Sequence, residues 1–418
     1  MSWFLAVHIG AGYHQQEREA DYVSLLRAAV QNGVRSLKAG GNAEDVLSSA
    51  IMMLEDSPLT NAAYGSNLSL AGTVETDAAM VIGNVGGDPR ELLTGAVGSL
   101  RHIKNPIDVA AELIRDKKVS KHLSLGRVRP SFLVSEGALL YATEKKMPRS
   151  VLESAHQIRR WKRNLQSVLL AADAESVVDM TFQSPAIKRQ RCKQSPYSFE
   201  KQEVSKSGLR LDTVGAVCID ARGVVGSAVS SGGIMLKHCG RVGSAGVLGS
   251  GCWVECRRED FSRRHSHSPR PDPSTFLLPS SSTSFSSSSS TTTTFAAAST
   301  TGMGEVIIDH LLASRVSSTL LNASPPQREH ELIACLRSVY PGEIGVLSVV
   351  GTFKKTDSQS TSGDSEMGLY WGFTTQSFGM AHASSFQPEI ACQIARKEPD
   401  TVISLGSVVF GSRPPASP

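Results

Sequence analysis

Several common signatures are missing from this 418-residue chain, and each absence removes a class of protein. No stretch approaches 18 consecutive apolar residues, so no membrane-crossing helix is expected. Met1 to Val7 is apolar only briefly before His8 and a glycine turn, without the basic region and long apolar core of a secretory signal. No Gly-Lys dipeptide occurs, which excludes P-loop phosphate chemistry, and neither a GxSxG elbow nor an HExxH helix is present. Charge of one sign is not in excess: 43 Lys+Arg against 39 Asp+Glu leaves +4. So even a balance does not suit a protein that coats nucleic acid, and neither nucleic acid nor membrane is an expected partner. The seven cysteines are odd in number and contain no CxxC pair, which fits free thiols in a reducing compartment. Cys252 and Cys256 have no second His or Cys pair at finger spacing nearby, so no metal site built from side chains is expected.

What is present supports a sizeable core. Hydrophobic residues make up 40% of the chain, and its length alone suggests two or three domains. Two stretches interrupt the globular pattern. The first, from about Val151 to Asp212, opens with a helical-looking run carrying Arg159, Arg160, Lys162 and Arg163. It continues through the basic cluster Lys188-Arg189-Gln190-Arg191-Cys192-Lys193 and is expected to be largely mobile. The second, 256–300, is Ser/Thr-rich: 18 of the 27 residues from Ser274 to Thr300 are Ser or Thr, a composition that predicts a disordered insert with solvated His265 and His267. They divide the chain into a first core over 1–150, a basic loop over 151–212, and a second core over 213–418 that contains the insert.

Elsewhere helices and strands are legible. Trp3 to His8 reads as a strand halted by Gly10-Ala11-Gly12. Asp21 to Lys38 carries Leu25, Leu26, Ala29, Val30, Val34 and Leu37 at helical spacing. Asn42 caps a helix through Leu54, and Asn105-Pro106 opens another to about Asp116. Leu68 to Val81 reads as a hairpin turning at Ala71-Gly72. Val214 to Asp220 and Val224 to Ser231 form a strand pair. Helices over Glu305 to Leu312 and Glu329 to Tyr340 follow, then strands over Ile344 to Phe353, Gly368 to Thr375 and Gly379 to Ala383. Such a mixture predicts layered helices and sheets. His8 to Gly12 imitates a dinucleotide loop, but Gln15 stands where a glycine is needed. The glycines at 240, 243, 246, 249 and 251 fit tight packing better than phosphate binding.

The segment Leu211-Asp212-Thr213-Val214-Gly215-Ala216-Val217 carries a chemical option. A polar, charged stretch ends there and a buried-looking strand begins. A threonine at such a junction can attack the preceding carbonyl through its hydroxyl, exchanging the amide for an ester. Hydrolysis of the ester leaves Thr213 as a new N-terminus, whose own amine serves as base to its own hydroxyl. An α-amine has an ordinary pKa of about 7.7–8.0, so part of it is neutral at working pH. Taken alone, this segment favours the plainer reading, that Thr213 is an ordinary β-branched strand residue.

Residues further along the chain change that balance. Val7-His8-Ile9-Gly10-Ala11-Gly12-Tyr13-His14, Glu55 to Asn61, Gly95 to Gly98 with Ile103 to Pro106, and Leu211 to Val217 occur in order. Ala228 to Gly233, Lys237-His238, Gly240-Arg241-Val242-Gly243 and Gly251-Cys252-Trp253 follow. The set resembles the N-terminal threonine hydrolases of the plant-type asparaginase family, over most of residues 3 to 140 and 211 to 254. The resemblance implies an α+β fold, a four-layer αββα sandwich of the N-terminal nucleophile hydrolase type. It implies one precursor cut between Asp212 and Thr213, with the two chains pairing again into a dimer of heterodimers. By position, Thr213 would be nucleophile and base, with Ser231 bonded to it. Arg241 would clamp a substrate carboxylate. Thr301 and Gly302, placed at a helix start, would hold the oxyanion, and Gly10 and Gly12 would let the first loop approach. The turn with Asn61, Leu68 and Leu70 resembles the family's sodium loop; no other cofactor is implied.

One position separates two enzyme readings. The family's asparaginases carry Asp three residues after the arginine, to hold a free α-ammonium; here the residue is Ser244. A free ammonium would lose a charged hydrogen bond of roughly 1.5–3 kcal/mol, whereas a peptide substrate has no such group. The expectation is therefore an endopeptidase that cuts proteins after Asp; that the bonds are Asp-Gly bonds in nuclear regulatory proteins is what the resemblance implies. The alternatives are an asparaginase or isoaspartyl peptidase acting on small substrates, and a non-catalytic nuclear adaptor. The basic clusters at 159–163 and 187–193 fit a nuclear import signal, with an import receptor as partner and residence in nucleus and cytoplasm; they equally fit a solvated helix face.

Overall fold

The computed structural model describes residues 2–85, 88, 91–120, 123–175, 213–261, 290–356 and 366–411. The chain begins with β1 (Phe4–Gly12), α1 (Glu19–Lys38), α2 (Ala43–Glu55), β2 (Thr76–Asn84), β3 (Leu92–Leu100) and α3 (Pro106–Val119). β4 (Phe132–Val134), α4 (Ser135–Glu144) and α5 (Ala155–Glu175) follow. The second half contains β5 (Val214–Ile219), β6 (Val224–Ser231), β7 (Cys252–Phe261) and β8 (Ser290–Gly302). It continues with α6 (Gly304–Asp309), α7 (Leu312–Asn322), α8 (Arg328–Arg337), β9 (Ile344–Thr356) and β10 (Glu366–Phe373). β11 (Ser377–Ser384), β12 (Ala391–Arg396) and β13 (Ser404–Phe410) complete it.

Among the described residues, one sheet runs β12-β11-β1-β5-β6-β2-β3-β4 and the other runs β13-β10-β9-β8-β7. Every pairing is antiparallel except β3 with β4. Strand alternation sorts side chains into three cores. On β1, Leu5, Val7 and Ile9 meet Leu26 and Val30 of α1 and Leu47 and Ile51 of α2. The intervening Phe4 and Ala6 face the second sheet, in a core with Val217, Val229, Phe295, Leu347 and Val349. The outer face of the second sheet, with Ala296, Ala298, Val346 and Tyr370, buries Val316 and Leu320 of α7 and Leu332 and Leu336 of α8. The order is helix, sheet, sheet, helix: an α+β, four-layer αββα sandwich. Strands buried on both faces read as near-continuous apolar runs, and β5, buried throughout, does so.

The structure redraws several expected boundaries. The hairpin expected over Leu68 to Val81 shrinks to one antiparallel bridge, Leu68 to Val74, across the Ala71-Gly72 turn; β2 begins only at Thr76, pairing with β3 and β6. Leu68 and Val74 are instead buried with Leu152, under Trp161 of α5. The expected mobile stretch from Val151 therefore starts with an ordered element, because α5 has a buried surface to settle on. The insert is also narrower than its composition suggests. β7 runs to Phe261 and β8 starts at Ser290, so the threonine run 291–294 lies in a strand, where β-branched residues fit well. Residues 262–289, with His265 and His267, lie outside the described residues, as do Asp212 and the cluster 187–193. The helix expected through Leu312 is two: α6 ends at Asp309, Leu311 turns left-handed (φ 44°), and α7 begins at Leu312.

Candidate functional site

The site forms where both halves of the chain meet at one end of the sheets. Thr213 precedes β5, which lies between β1 and β6; Ser231 ends β6. Val214 pairs with Ser230, so the register sets Thr213 beside Ser231. The Thr213 hydroxyl donates to Ser231 Oγ at 3.1 Å, and Ser231 Oγ also accepts from the Gly233 N–H at 3.0 Å. Both side chains are buried. A small cavity lies against them, lined by Asn61, Thr213, Ser231, Gly233, Ile234, Arg241, Gly243, Ser244, Ala245, Gly302 and Gly304. Thr213, Arg241 and Ser244 therefore share one wall, although they are up to 31 residues apart in sequence.

Residues that sequence reasoning did not single out hold this wall in place. Glu75 and Asp77, at the start of β2, pin the turn carrying Arg241 at both ends. Glu75 Oε2 accepts from the Gly240 N–H and Asp77 Oδ2 from the Gly243 N–H, each at 2.8 Å. Both carboxylates also hold Ser99, through its hydroxyl and its N–H. Burial raises the Asp77 pKa, opposed by the Lys237 charge, by the Ser99 and Gly243 N–H groups and by Arg241. Lys237 is itself buried and donates to the Glu75 carbonyl at 2.6 Å. Burial lowers its pKa, while Asp77 and Glu75 oppose the shift. An acid two residues from another at a strand start is a weak sequence pattern. Only folding shows that both reach one turn.

Behind Thr213 lies His8, whose Nε2 is 2.6 Å from Ser299 Oγ. Burial pushes its pKa down to about 3, against a hydrogen bond to the Thr213 backbone, so the imidazole is neutral. On the helix side, Glu55 Oε1 accepts from Ser230 Oγ at 2.6 Å and from the Ile107 N–H at 3.1 Å. Burial pushes the Glu55 pKa up to about 8, with those donors opposing.

The remaining expected residues fall in different places. Gly302 lines the cavity, but it and Thr301 are the last residues of β8 rather than the start of a helix; Met303 lies between them and α6. Gly302 has φ +122°, and a Cβ there would fall 2.0 Å from the Glu343 carbonyl, so glycine is required. Thr301 is buried one step back, its Oγ1 accepting from the Ala11 N–H at 3.4 Å. Gly10 and Gly12 belong to β1 and are not on the cavity wall; Gly10 (φ +105°) makes an irregularity in the β1–β11 pairing.

Asn61 was placed in a cation loop by sequence, yet its amide braces the site. Nδ2 donates to the Gly233 carbonyl at 2.9 Å, and Oδ1 accepts from the Asn67 N–H at 2.8 Å. Carbonyls of the same turn also accept hydrogen bonds from neighbouring groups. Asn61 O accepts from Gly232 and Leu68 O from Leu236. Tyr64 O and Ser66 O both accept from Gln157 Nε2, and Ser69 O from Trp161 Nε1. Among the described residues, no group of three or more His, Cys, Asp or Glu gathers to hold a metal, and no helix is long and apolar enough to cross a membrane.

Two sheets packed between helix layers, with a threonine opening a central strand beside a cavity, define the N-terminal nucleophile hydrolase fold. The chain belongs to the asparaginase family, whose sequence profile matches residues 1–258. It is 31% identical over 254 residues to the isoaspartyl peptidase/L-asparaginase of Xenopus laevis, covering 60% of this chain and 66% of that protein. It is 31% identical over 255 residues to the isoaspartyl peptidase of Escherichia coli K12, covering 67% of that protein. To the plant-type L-asparaginase of Pyrococcus furiosus it is 32% identical over 251 residues, covering 70%. The matched region thus spans about two thirds of these relatives' own length.

Proposed function

We propose that this protein is an autoprocessing threonine endopeptidase that cuts proteins after Asp, as the threonine aspartases (taspases) do. The observation that carries the proposal is Ser244. It lies on the cavity wall beside Thr213, Ser231 and Arg241, where the family's asparaginases use a carboxylate to hold a free ammonium. With no acid there, the site suits a substrate whose chain continues on the N-terminal side of its Asp.

The chemistry begins on the chain itself. Thr213 Oγ attacks the Asp212 carbonyl carbon, and the Asp212–Thr213 C–N bond breaks to leave an ester and a free Thr213 amine. Water then hydrolyses the ester. In each later turnover the amine takes the proton from Thr213 Oγ as that oxygen attacks the substrate's Asp carbonyl. Arg241 takes the Asp side-chain carboxylate, the geometry a planar guanidinium favours. Ser231, bonded to the Thr213 hydroxyl, fixes the nucleophile's rotamer. The Gly302 backbone is the assigned oxyanion contact, a role usually worth roughly 10²–10³ in rate. The resulting ammonium returns its proton to the leaving amine, and water releases the acyl group. No cofactor enters.

The relatives' names favour a second reading, hydrolysis of asparagine or isoaspartyl peptides. We further infer Asp-Gly bonds of nuclear regulatory proteins as substrates, assembly as a dimer of αβ pairs, and import into the nucleus through the basic clusters. One experiment separates the readings. Processed protein is incubated with an internal Asp-Gly peptide and with free asparagine, beside Thr213→Ala. Wild type yields two fragments on a denaturing gel and prefers the peptide; Thr213→Ala remains one chain. Faster turnover of asparagine would overturn the endopeptidase, and a well-folded wild type that stays in one piece would overturn the nucleophile.

A further inference from the structure

Arg241 offers two hydrogen-bonding edges, one formed by Nε and Nη2 and one by Nη1 and Nη2. The first is taken. Glu305 Oε1 accepts from Nε at 3.0 Å and from Nη2 at 2.7 Å. The second faces the glycine-built part of the cavity wall. A Cβ on Gly243 would lie 2.5 Å from Nη1, one on Gly233 3.0 Å from Nη1, and one on Gly304 2.6 Å from Nη2. The Arg241 side chain is only 14% exposed, whereas that of Glu305, on α6, is 58% exposed. Glu305, which is not on the cavity wall, thus reaches from the surface to the half-buried guanidinium and holds its Nε–Nη2 edge.

We propose that Glu305 is a positioning residue for substrate recognition: it holds the guanidinium by one edge so that the other meets the aspartyl carboxylate. The inference rests on the functional reading above and adds a residue to it. A free arginine side chain samples many rotamers, and ordering it on binding weakens affinity. The Glu305 pair removes that cost before substrate arrives, and the three glycines leave room for the planar group. An opposite role, in which Glu305 competes with substrate for the arginine, predicts the reverse sign.

The test uses the processed enzyme, wild type and the variants Glu305→Ala, Glu305→Gln, Arg241→Lys and Glu305→Ala with Arg241→Lys. Calorimetry measures the Kd for N-acetyl-L-aspartate, and kinetics measure KM and kcat on an internal Asp-Gly peptide. Glu305→Ala is expected to raise Kd and KM about tenfold, as for a lost charge-assisted pair, with kcat changed less than about twofold. Glu305→Gln keeps an acceptor at the same place and stays within about threefold of wild type. On an Arg241→Lys background, which lacks the planar fork, Glu305→Ala has little further effect. Unchanged or tighter binding by Glu305→Ala, or an equal loss on both backgrounds, would sink the inference while leaving the functional reading standing. A wild type that neither binds N-acetyl-L-aspartate nor cuts the peptide overturns both.

Discussion

Glu55 shows how a single side chain can carry a pH dependence into the site. It sits under Ser230, the residue before Ser231, and burial pushes its carboxyl up to about 8. In the unfolded chain a glutamate titrates near its ordinary value, so the folded state holds a proton that the unfolded state has released. The resulting stability is fully present below the unfolded pKa and is lost as pH rises through about 8. Melting temperatures measured from pH 6 to 9 should therefore fall for wild type and fall less for Glu55→Gln, which cannot ionise. A parallel fall in both proteins would show that Glu55 is not the source. His8 has the opposite sign: depressed to about 3, it contributes stability that is present above its ordinary pKa and is lost as pH falls from there through about 3. Thr213, Ser231 and Arg241 were all legible in sequence because a familiar order of motifs surrounds them. Glu75, Asp77 and Glu305 were not, since each acts through a partner at least 60 residues away in the chain; Lys237 stood in a motif, but its bond to the Glu75 carbonyl did not show there.

At the scale of elements, α5 has the clearest consequence. Its Gln157 and Trp161 supply N–H donors to three carbonyls of the turn that contains Asn61, and Asn61 braces Gly233 on the cavity wall. Trp161→Phe removes the bond to Ser69 O but keeps most of the packing, at a cost on the order of 1 kcal/mol. Amide exchange over residues 61–74 should quicken in that variant while β5 and β6 keep their protection; unchanged exchange would mean that α5 does not hold the turn. Regular helices and apolar strands announced themselves: α1 by its heptad-like spacing, α2 by the Asn42 cap, whose side chain accepts from the Asp45 N–H at 2.8 Å. β3 did not. Its Gly95 lets the strand approach α3 so closely that a Cβ would lie 2.0 Å from the Ala110 carbonyl, and a glycine chosen for contact hides strand propensity. β12 and β13 were equally silent, being edge strands whose side chains are mostly only partly buried.

For the whole molecule, topology decides what a cut at Asp212–Thr213 can do. In the larger sheet, β1 from the first piece pairs with both β11 and β5 from the second, and β2 pairs with β6. The pieces interleave rather than abut, and their shared core includes Leu5, Met80, Val214 and Ala228. Processed protein should therefore run as two bands under denaturing conditions yet elute as one species without denaturant. Separation of the pieces in native buffer would show that strand interleaving does not hold them. The sequence by itself determined the layered fold class, the junction at which a threonine opens a buried strand, and the serine that stands in place of an acid. These rest on local composition and on ordered motifs, which need no third dimension. Only the tertiary structure decided which carboxylates carry the arginine, that Asn61 braces the wall, and that α5 serves the turn. Those contacts join chain segments whose proximity is set by strand order and register, and register emerges only when the three cores are packed together.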